Sequence, residues 1–576
     1  MNDEELYKHD VNIGVLIDGK EISDPQYIVS VETSVVYRKL AEAQVVVRDG
    51  GLSDKDFGIS DSDTFLIGKE LTVLVGETKA DQCIFKGVVE MQSISMDKKS
   101  SMLKITAKHQ AYKMTLERKL RSFEDCTDQD VIESICSEYG IDVDIECPNV
   151  KHDRLVQYNC TDWDFINLRA EAMGLLLFTT PDGIVLSPPD TGADSSLNIV
   201  NGYNLHSLDI EMDARSAFNT HKAQAWNYAQ QDADNVDASG GKNDSPIGDL
   251  DSPELAGKNK NDVITHQMLA SQENPDALTE WNKNLAMRAD LSRITGTAKV
   301  WGFAPLQPGN IVSLENVGKR FNGKSIISSI THKVDREWTT IIGLGVDNIP
   351  YADLYDDIPA KRADAVISPA NGMQVAKVKA LEGDPLGEDR IYICLMGSED
   401  TCLWARLATL DAGNQRGTVF CPEVGDEVVV GFINDNPNNA IVLGMLHSSS
   451  SPSPIEKTDD NHKKAIITRE GLELLFDDEN KSITLSTPGG NSVVLDDNDG
   501  GIFIEDSNGN KIVLDNSGIT LETNKALNIK AQQDVNIEGN NTTVKANIQL
   551  KLNGQTGSEI SSSGNTVVKG AIVNIN

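Results

Sequence analysis

Aromatic residues are scarce. They make up 5% of this 576-residue chain, and beyond Ala465 only Phe476 and Phe503 remain. The last fifth therefore has nothing with which to fill a compact aromatic core. No window approaches 18 consecutive apolar residues, which excludes a transmembrane helix. Met1-Asn2-Asp3-Glu4-Glu5 is acidic and lacks an apolar run behind it, so no Sec-type leader is expected. Synthesis in the cytoplasm follows, with any export by another route. Basic residues are also short: 52 Lys and Arg face 88 Asp and Glu, for a net charge of −36. A surface of that sign repels nucleic acid and anionic lipid, so neither nucleic acid nor stable membrane anchoring is expected. Many of the carboxylates simply keep the protein soluble.

Chemical signatures are missing too. The eight cysteines (83, 126, 136, 147, 160, 394, 402 and 421) form no C-x-x-C pair and read as reduced, structural thiols. Cys394 and Cys402 flank the turn Met396–Thr401, but a disulfide there is not expected. H-E-x-x-H, G-x-S-x-G and P-loop patterns are absent, and pairs such as Glu388/Asp389 read as solvated loop charges. Asp496-Asp497-Asn498-Asp499-Gly500 fails the EF-hand pattern, because with Gly500 sixth the first position is Leu495 and the twelfth Asp506; turn chemistry accounts for it. The nine histidines show no metal spacing; His206, His221 and His332 read as strand or barrel-rim residues, and Trp163 and Phe165 as core. The expectation is a protein with no catalytic residues, no metal and no cofactor.

What the chain does have is alternation. From Ala465 to Asn576 apolar pairs recur: Ile483/Leu485, Val493/Leu495, Ile502/Ile504, Ile512/Leu514, Ile519/Leu521, Leu527/Ile529, Val535/Ile537 and Ile548/Leu550. Period-2 alternation puts one face of each strand indoors. Turn residues separate many of the pairs, as at Pro488-Gly489-Gly490, Ser507-Asn508-Gly509 and Asn516-Ser517-Gly518. A face two residues wide cannot enclose a core alone. Two arrangements answer this: three chains wound together with the pairs at their axis and strands paired between chains, or a single-chain β-solenoid.

Upstream, strands dominate until a helical middle. Asp18-Gly19 marks a hairpin between Val15-Leu16-Ile17 and Glu21-Ile22. Thr127 precedes Asp130 at capping-box spacing, and a second helix begins near Thr161-Asp162-Trp163-Asp164. A hairpin follows around Pro181-Asp182-Gly183, and a third helix is expected from Pro275 to Arg293. The tract 230–262 reads as a polar loop or insertion, 351–364 as a linker, and 449–464 as a Ser-Pro spacer. The C-terminal run Ala571-Ile572-Val573-Asn574-Ile575-Asn576 is still strand-like, so unpaired backbone and apolar groups there form a docking surface.

Residues Gly425 to His447 (GDEVVVGFINDNPNNAIVLGMLH) resemble the OB-fold signature of VgrG-type spike proteins of contractile injection systems. Tyr158 to Gly174 (YNCTDWDFINLRAEAMG) is similar to the helical motif of that family's hub, and Phe321 to Val346 to the closing strands of the hub's second barrel. The resemblance implies a mainly β fold: a first hub β-barrel over 1–120, a helical and hairpin insert over 121–204, a second hub barrel over 205–350, an OB-fold neck over 365–448, and a trimeric β-helix (β-prism) needle over 465–576. It further implies a homotrimer, a hexameric inner tube and baseplate components as partners, possible cargo effectors, and a PAAR-type tip protein. The tip would seat on Ile572, Val573, Ile575 and Asn576. A phage or prophage baseplate hub-spike is the alternative machine; a β-solenoid adhesin or polysaccharide-acting enzyme is the alternative of another class.

Overall fold

A computed structural model describes residues 12–22, 27–50, 57–76, 79–98, 100–227, 230–239, 247–268, 275–335, 337–396 and 401–575. The chain divides into two compact units, the first built mainly from residues before Gln374 and the second mainly from residues after Met373.

Alternating Val, Ile and Leu build the first unit around one sheet of 13 described strands. Its path runs Leu205–Met212, Ile294–Trp301, Trp338–Leu344, Gly323–Val334, Ile28–Val36, Glu42–Arg48, Ser101–Lys108, Gln82–Met96, Glu70–Gly76, Asn12–Ile17, Lys20–Glu21. The two β-rich segments seen in the sequence are thus joined edge to edge, through Ser329–Val334 paired with Val31–Val36. Each half keeps its own core. One gathers Val45, Leu71, Val73, Val75, Phe85 and Ile105; the other gathers Ile199, Ile294, Val312, Leu314, Ile327 and Ile342.

The helical middle is an internal repeat. Cys126-Thr127-Asp128-Gln129-Asp130 recurs as Cys160-Thr161-Asp162-Trp163-Asp164, 34 positions on. Each run ends one strand of an antiparallel ribbon, Arg118–Thr127 with Lys151–Thr161, and starts a helix: α1 (Asp128–Glu138) and α2 (Asp162–Ala172). Both threonines cap their helix, Thr127 by accepting from the Asp130 N–H and Thr161 from the Asp164 N–H. The aspartate that opens each helix is fully buried and held from the other half of the repeat. Asp128 pairs with Arg169 Nε at 2.5 Å and His152 Nε2 at 2.8 Å. Asp162 receives Arg121, Lys119 and the Tyr139 hydroxyl, each at 2.7 Å. Removing one partner would strand a buried charge, so the two halves hold each other in place. Trp163 and Phe165 lie in the surrounding core.

Two tracts depart from expectation. The polar tract 230–262 is not a loop throughout: Asp232–Ser239 pairs with Thr220–Asn227, and α3 (Ser252–Asn259) follows a capping box of Asp251 and Glu254. Backbone pairing organises this polar strand, while Leu255 and Ala256 bury the face of α3. The tract 351–364 is not a free linker either. Tyr351 is 1% exposed, and its hydroxyl donates to Asp164 Oδ1 at 2.9 Å. Beside it Glu171 takes Arg38 at 2.9 Å and Arg288, from α4 (Pro275–Leu291), at 2.6 Å. Both arginines also donate to the Ile349 carbonyl.

In the second unit, Gln374–Ala380, Ile391–Leu395, Cys402–Leu407, Ala440–Met445 and Glu427–Phe432 close a five-stranded barrel. Its core is Val378, Ile393, Ala405, Val428, Val430 and Val442. Cys394 and Cys402 are joined by a disulfide, against the expectation of reduced thiols. The reason is register: these residues stand directly opposite on paired strands.

Candidate assembly face of the C-terminal shaft

Beyond the barrel the chain folds into a seven-stranded antiparallel ladder: Lys463–Ile467, Glu473–Asp477, Ser482–Ser486, Ser492–Asp496, Gly501–Glu505, Lys511–Asp515, Gly518–Glu522. Each strand pairs with its neighbour in sequence. The expectation that every strand of the shaft pairs between chains therefore fails here, and so does the solenoid.

The ladder is a 19-residue repeat. Strands start at 463, 482 and 501, and their return strands at 473, 492 and 511. Asp477, Asp496 and Asp515 occupy one turn position. Asp477 Oδ1 accepts the Glu479 and Asn480 N–H groups, Asp496 Oδ1 those of Asn498 and Asp499, and Asp515 Oδ1 that of Ser517. On the opposite edge Thr468 accepts from Leu472 N–H, Thr487 from Asn491, and Asp506 from Asn508 and Asn510. These are Asx- and ST-type turns. Hydrogen bonds from the Asn510 side chain, then from the Asn510 N–H, hold the Asp506 carboxyl down at about 2. Asp477 is lowered chiefly by the Asn480 N–H, and Asp515 chiefly by the Ser517 hydroxyl. The acidic loop at Asp496–Gly500 is thus a turn.

Register sorts the apolar pairs into two columns on one face. The first runs Ile466, Leu474, Leu485, Val493, Ile504, Ile512, Leu521. The second runs Lys464, Phe476, Ile483, Leu495, Ile502, Leu514, Ile519. All ten residues proposed from the sequence between Ile483 and Leu521 lie in these columns. Ile466, Leu474 and Phe476 join them and had been missed; the 19-residue spacing of Asp477, Asp496 and Asp515 was the signal. The face is open. Ile483, Ile502, Ile504 and Ile512 are all 37–38% exposed, and the first column lines a groove of about 840 Å³ that Phe420, Leu472 and Leu527 extend. Each Ile or Leu covered there contributes about 1.5–3 kcal/mol.

Past Glu522 the described residues contain no strand. Leu527, Ile529, Val535, Ile537, Ile548 and Leu550 are exposed, Ile548 fully, and the structure does not bring them together. Ile572, Val573 and Ile575 are exposed as well, and Asn576 lies outside the described residues. Among the described residues no helix is long and apolar enough to cross a membrane, and no group of three or more His, Cys, Asp or Glu side chains is placed to hold a metal ion.

Three family models match in order along the chain. Residues 8–336 match the Alg8 N-terminal domain, residues 374–447 the type VI secretion system/phage-baseplate injector OB domain, and residues 482–576 the phage baseplate V C-terminal trimerisation domain. The actin cross-linking toxin VgrG1 of Vibrio cholerae serotype O1 (Classical Ogawa 395) is 25% identical over 183 residues, 29% of this chain and 17% of that protein. The type VI secretion system spike protein VgrG3 of V. cholerae serotype O1 (El Tor Inaba N16961) is 33% identical over 72 residues, 12% of this chain and 7% of that one. The matched stretches thus span less than a fifth of these relatives' own lengths. Among solved structures, the prophage MuSo2 43 kDa tail protein from Shewanella oneidensis superposes with a TM-score of 0.45 at 11% identity, over 59% of this chain and 99% of that one.

Proposed function

Because the chain belongs to the family of VgrG-type spike proteins, we propose that it is the central spike of a contractile injection system. Three copies join an inner tube and baseplate at the hub and drive the shaft into the target. It is assembled in the cytoplasm and leaves with the particle. One observation carries this reading above the rest: an apolar face of seven rungs lies open, followed by 53 described residues that pair with nothing in their own chain. Both features are costly for a lone chain and are satisfied by further copies. Its role is mechanical, with no catalytic step, so any toxicity resides in cargo.

A separate conical PAAR-type tip protein seats on Ile572, Val573, Ile575 and Asn576, one per trimer. Light scattering on the full chain tests the oligomer: a trimer is expected, and a monodisperse monomer with an ordered terminal segment overturns it. Deleting 571–576 is expected to abolish co-purification of the tip while leaving the trimer. Full recovery of the tip on the truncated spike would place docking elsewhere.

A further inference from the structure

The two long edges of the hairpin ladder are chemically unlike. The turns after Phe476, Leu495 and Leu514 hold seven carboxylates, from Asp477 to Asp515, and one lysine, Lys481. The turns after Ile467, Ser486 and Glu505 hold Glu470 and Asp506 against Arg469. One edge is strongly acidic and the other nearly neutral. The columns differ as well: Lys464 and Phe476 start the acidic-edge column, Ile466 and Leu474 the other.

We propose that the ladder docks head to tail on two further copies of itself, the acidic-edge column of one against the neutral-edge column of the next. We also propose that this docking sets the register of residues 523–575. The inference rests on the trimeric reading above. The occupant of the groove is a second copy because the second column has the same seven rungs at the same strand spacing as the first. A two-fold contact would lay like edge on like edge, and at the acidic edge seven carboxylates would face seven. Cyclic closure places every acidic edge beside a neutral one.

Register follows from the turns. Hydrogen bonds inside the chain fix each hairpin, so a ladder cannot slip by a residue without breaking them. The segment past Glu522 has no such anchor. Leu527/Ile529 and Val535/Ile537 recur eight positions apart, so sliding one chain by that step still lays apolar pair on apolar pair. Three ladders fixed at equal height deliver three chains to Thr523 together and remove that slip.

Paired cysteines test the contact in the full chain. Ile502 and Ile504 share a strand and lie in different columns. Oxidised Ile502→Cys/Ile504→Cys is expected to run as a covalent trimer in denaturing gels, with each single variant and the wild type as monomers. Single variants that cross-link as dimers would mean like-on-like packing and overturn the proposal. Hydrogen exchange tests the order of events. Ile529→Asp/Ile537→Asp is expected to stay trimeric, with ladder amides within about twofold of wild type and 523–575 unprotected. Leu485→Asp/Ile504→Asp is expected to lose the trimer and the protection of 523–575 together. A terminal variant that loses the trimer, or a ladder variant that keeps 523–575 protected, overturns the register-setting role. A wild type that scatters as a monomer would instead fail the spike reading itself.

Discussion

Residues 463–522 and 523–575 carry the same alternation of apolar residues, yet one folds on itself and the other does not. The difference lies in the turns. In the ladder, Gly471, Gly490 and Gly509 stand 19 residues apart and all have positive φ, near +80°, which glycine adopts without strain. The terminal segment has five glycines, at 539, 554, 557, 564 and 570, and none takes a positive φ. Without reversals of that kind an alternating chain cannot return to its own edge. It keeps its backbone groups open until other chains supply partners. An apolar period therefore says that a strand wants a face; turn chemistry says whose.

The largest expected effect breaks both regions at once. Ile512→Asp/Leu514→Asp places two carboxylates in the two columns of one rung. An unpaired buried charge costs at least several kcal/mol per chain, repeated three times around the axis. Light scattering is expected to show monomer or aggregate in place of trimer. A stable trimer in this variant would mean that the columns face solvent and the comparison is wrong.

A smaller change of conditions separates the two regions. On dilution below the association range, ladder amides are expected to stay protected by their own hairpins, while those of 523–575 exchange at the rate of an open chain. Hydrogen exchange across a concentration series reads this directly. Equal loss of protection in both regions would show that the ladder, too, exists only in the assembly.

Much of this was legible in the sequence, for physical reasons. Thr127 with Asp130, and Thr161 with Asp164, announced helix starts because a hydroxyl three residues ahead of an N–H is a local bond. The shaft pairs were visible because the period of two needs no tertiary knowledge. The strand Asp232–Ser239 was hidden, since its order comes from pairing with Thr220–Asn227 rather than from apolar content. The Asp251/Glu254 capping box was the overlooked signal for α3. The pairing of Cys394 with Cys402 depends on strand register, which composition does not carry. The ladder itself was missed because the pairs were counted singly; Asp477, Asp496 and Asp515 give the hairpin repeat.

Turn substitutions sharpen the comparison at the next level down. Gly490 has open space around its missing Cβ, the nearest atom being Ser507 Cβ at 3.7 Å, so Gly490→Ala tests backbone strain alone. It is expected to cost the ladder about 1–2 kcal/mol per chain. Lys481 occupies the position that Gly500 fills one repeat later, and both have positive φ. Lys481→Gly is expected to relieve up to about 1 kcal/mol. Thermal unfolding of the two variants should move in opposite directions. A shift of the same sign would mean that the repeat is not built on these positions.

The smallest effect expected is a titration. Asp506 sits in a turn where the Asn510 side chain, then the Asn510 and Asn508 N–H groups, bond its carboxylate and hold it at about 2, below an ordinary value of 3.8. A carboxyl lowered by folding stabilises the fold at pH above its ordinary value. That stabilisation fades as pH falls towards the lowered one. Ladder stability is therefore expected to decline between about pH 4 and pH 2, with Asp477 and Asp515, also lowered, adding in the same direction. Asp506→Asn keeps an acceptor oxygen and removes the titration. It is expected to lower the unfolding temperature slightly at pH 5 and to flatten the acid slope below pH 4. The change stays modest because the group is exposed and screened by solvent. Water already satisfies the exposed backbone of 523–575, so the acid response should map to peptides of the ladder in an exchange experiment. If the acid slope of Asp506→Asn matches wild type, the turn carboxylates do not hold the hairpins, and the ladder owes its independence to the glycines alone.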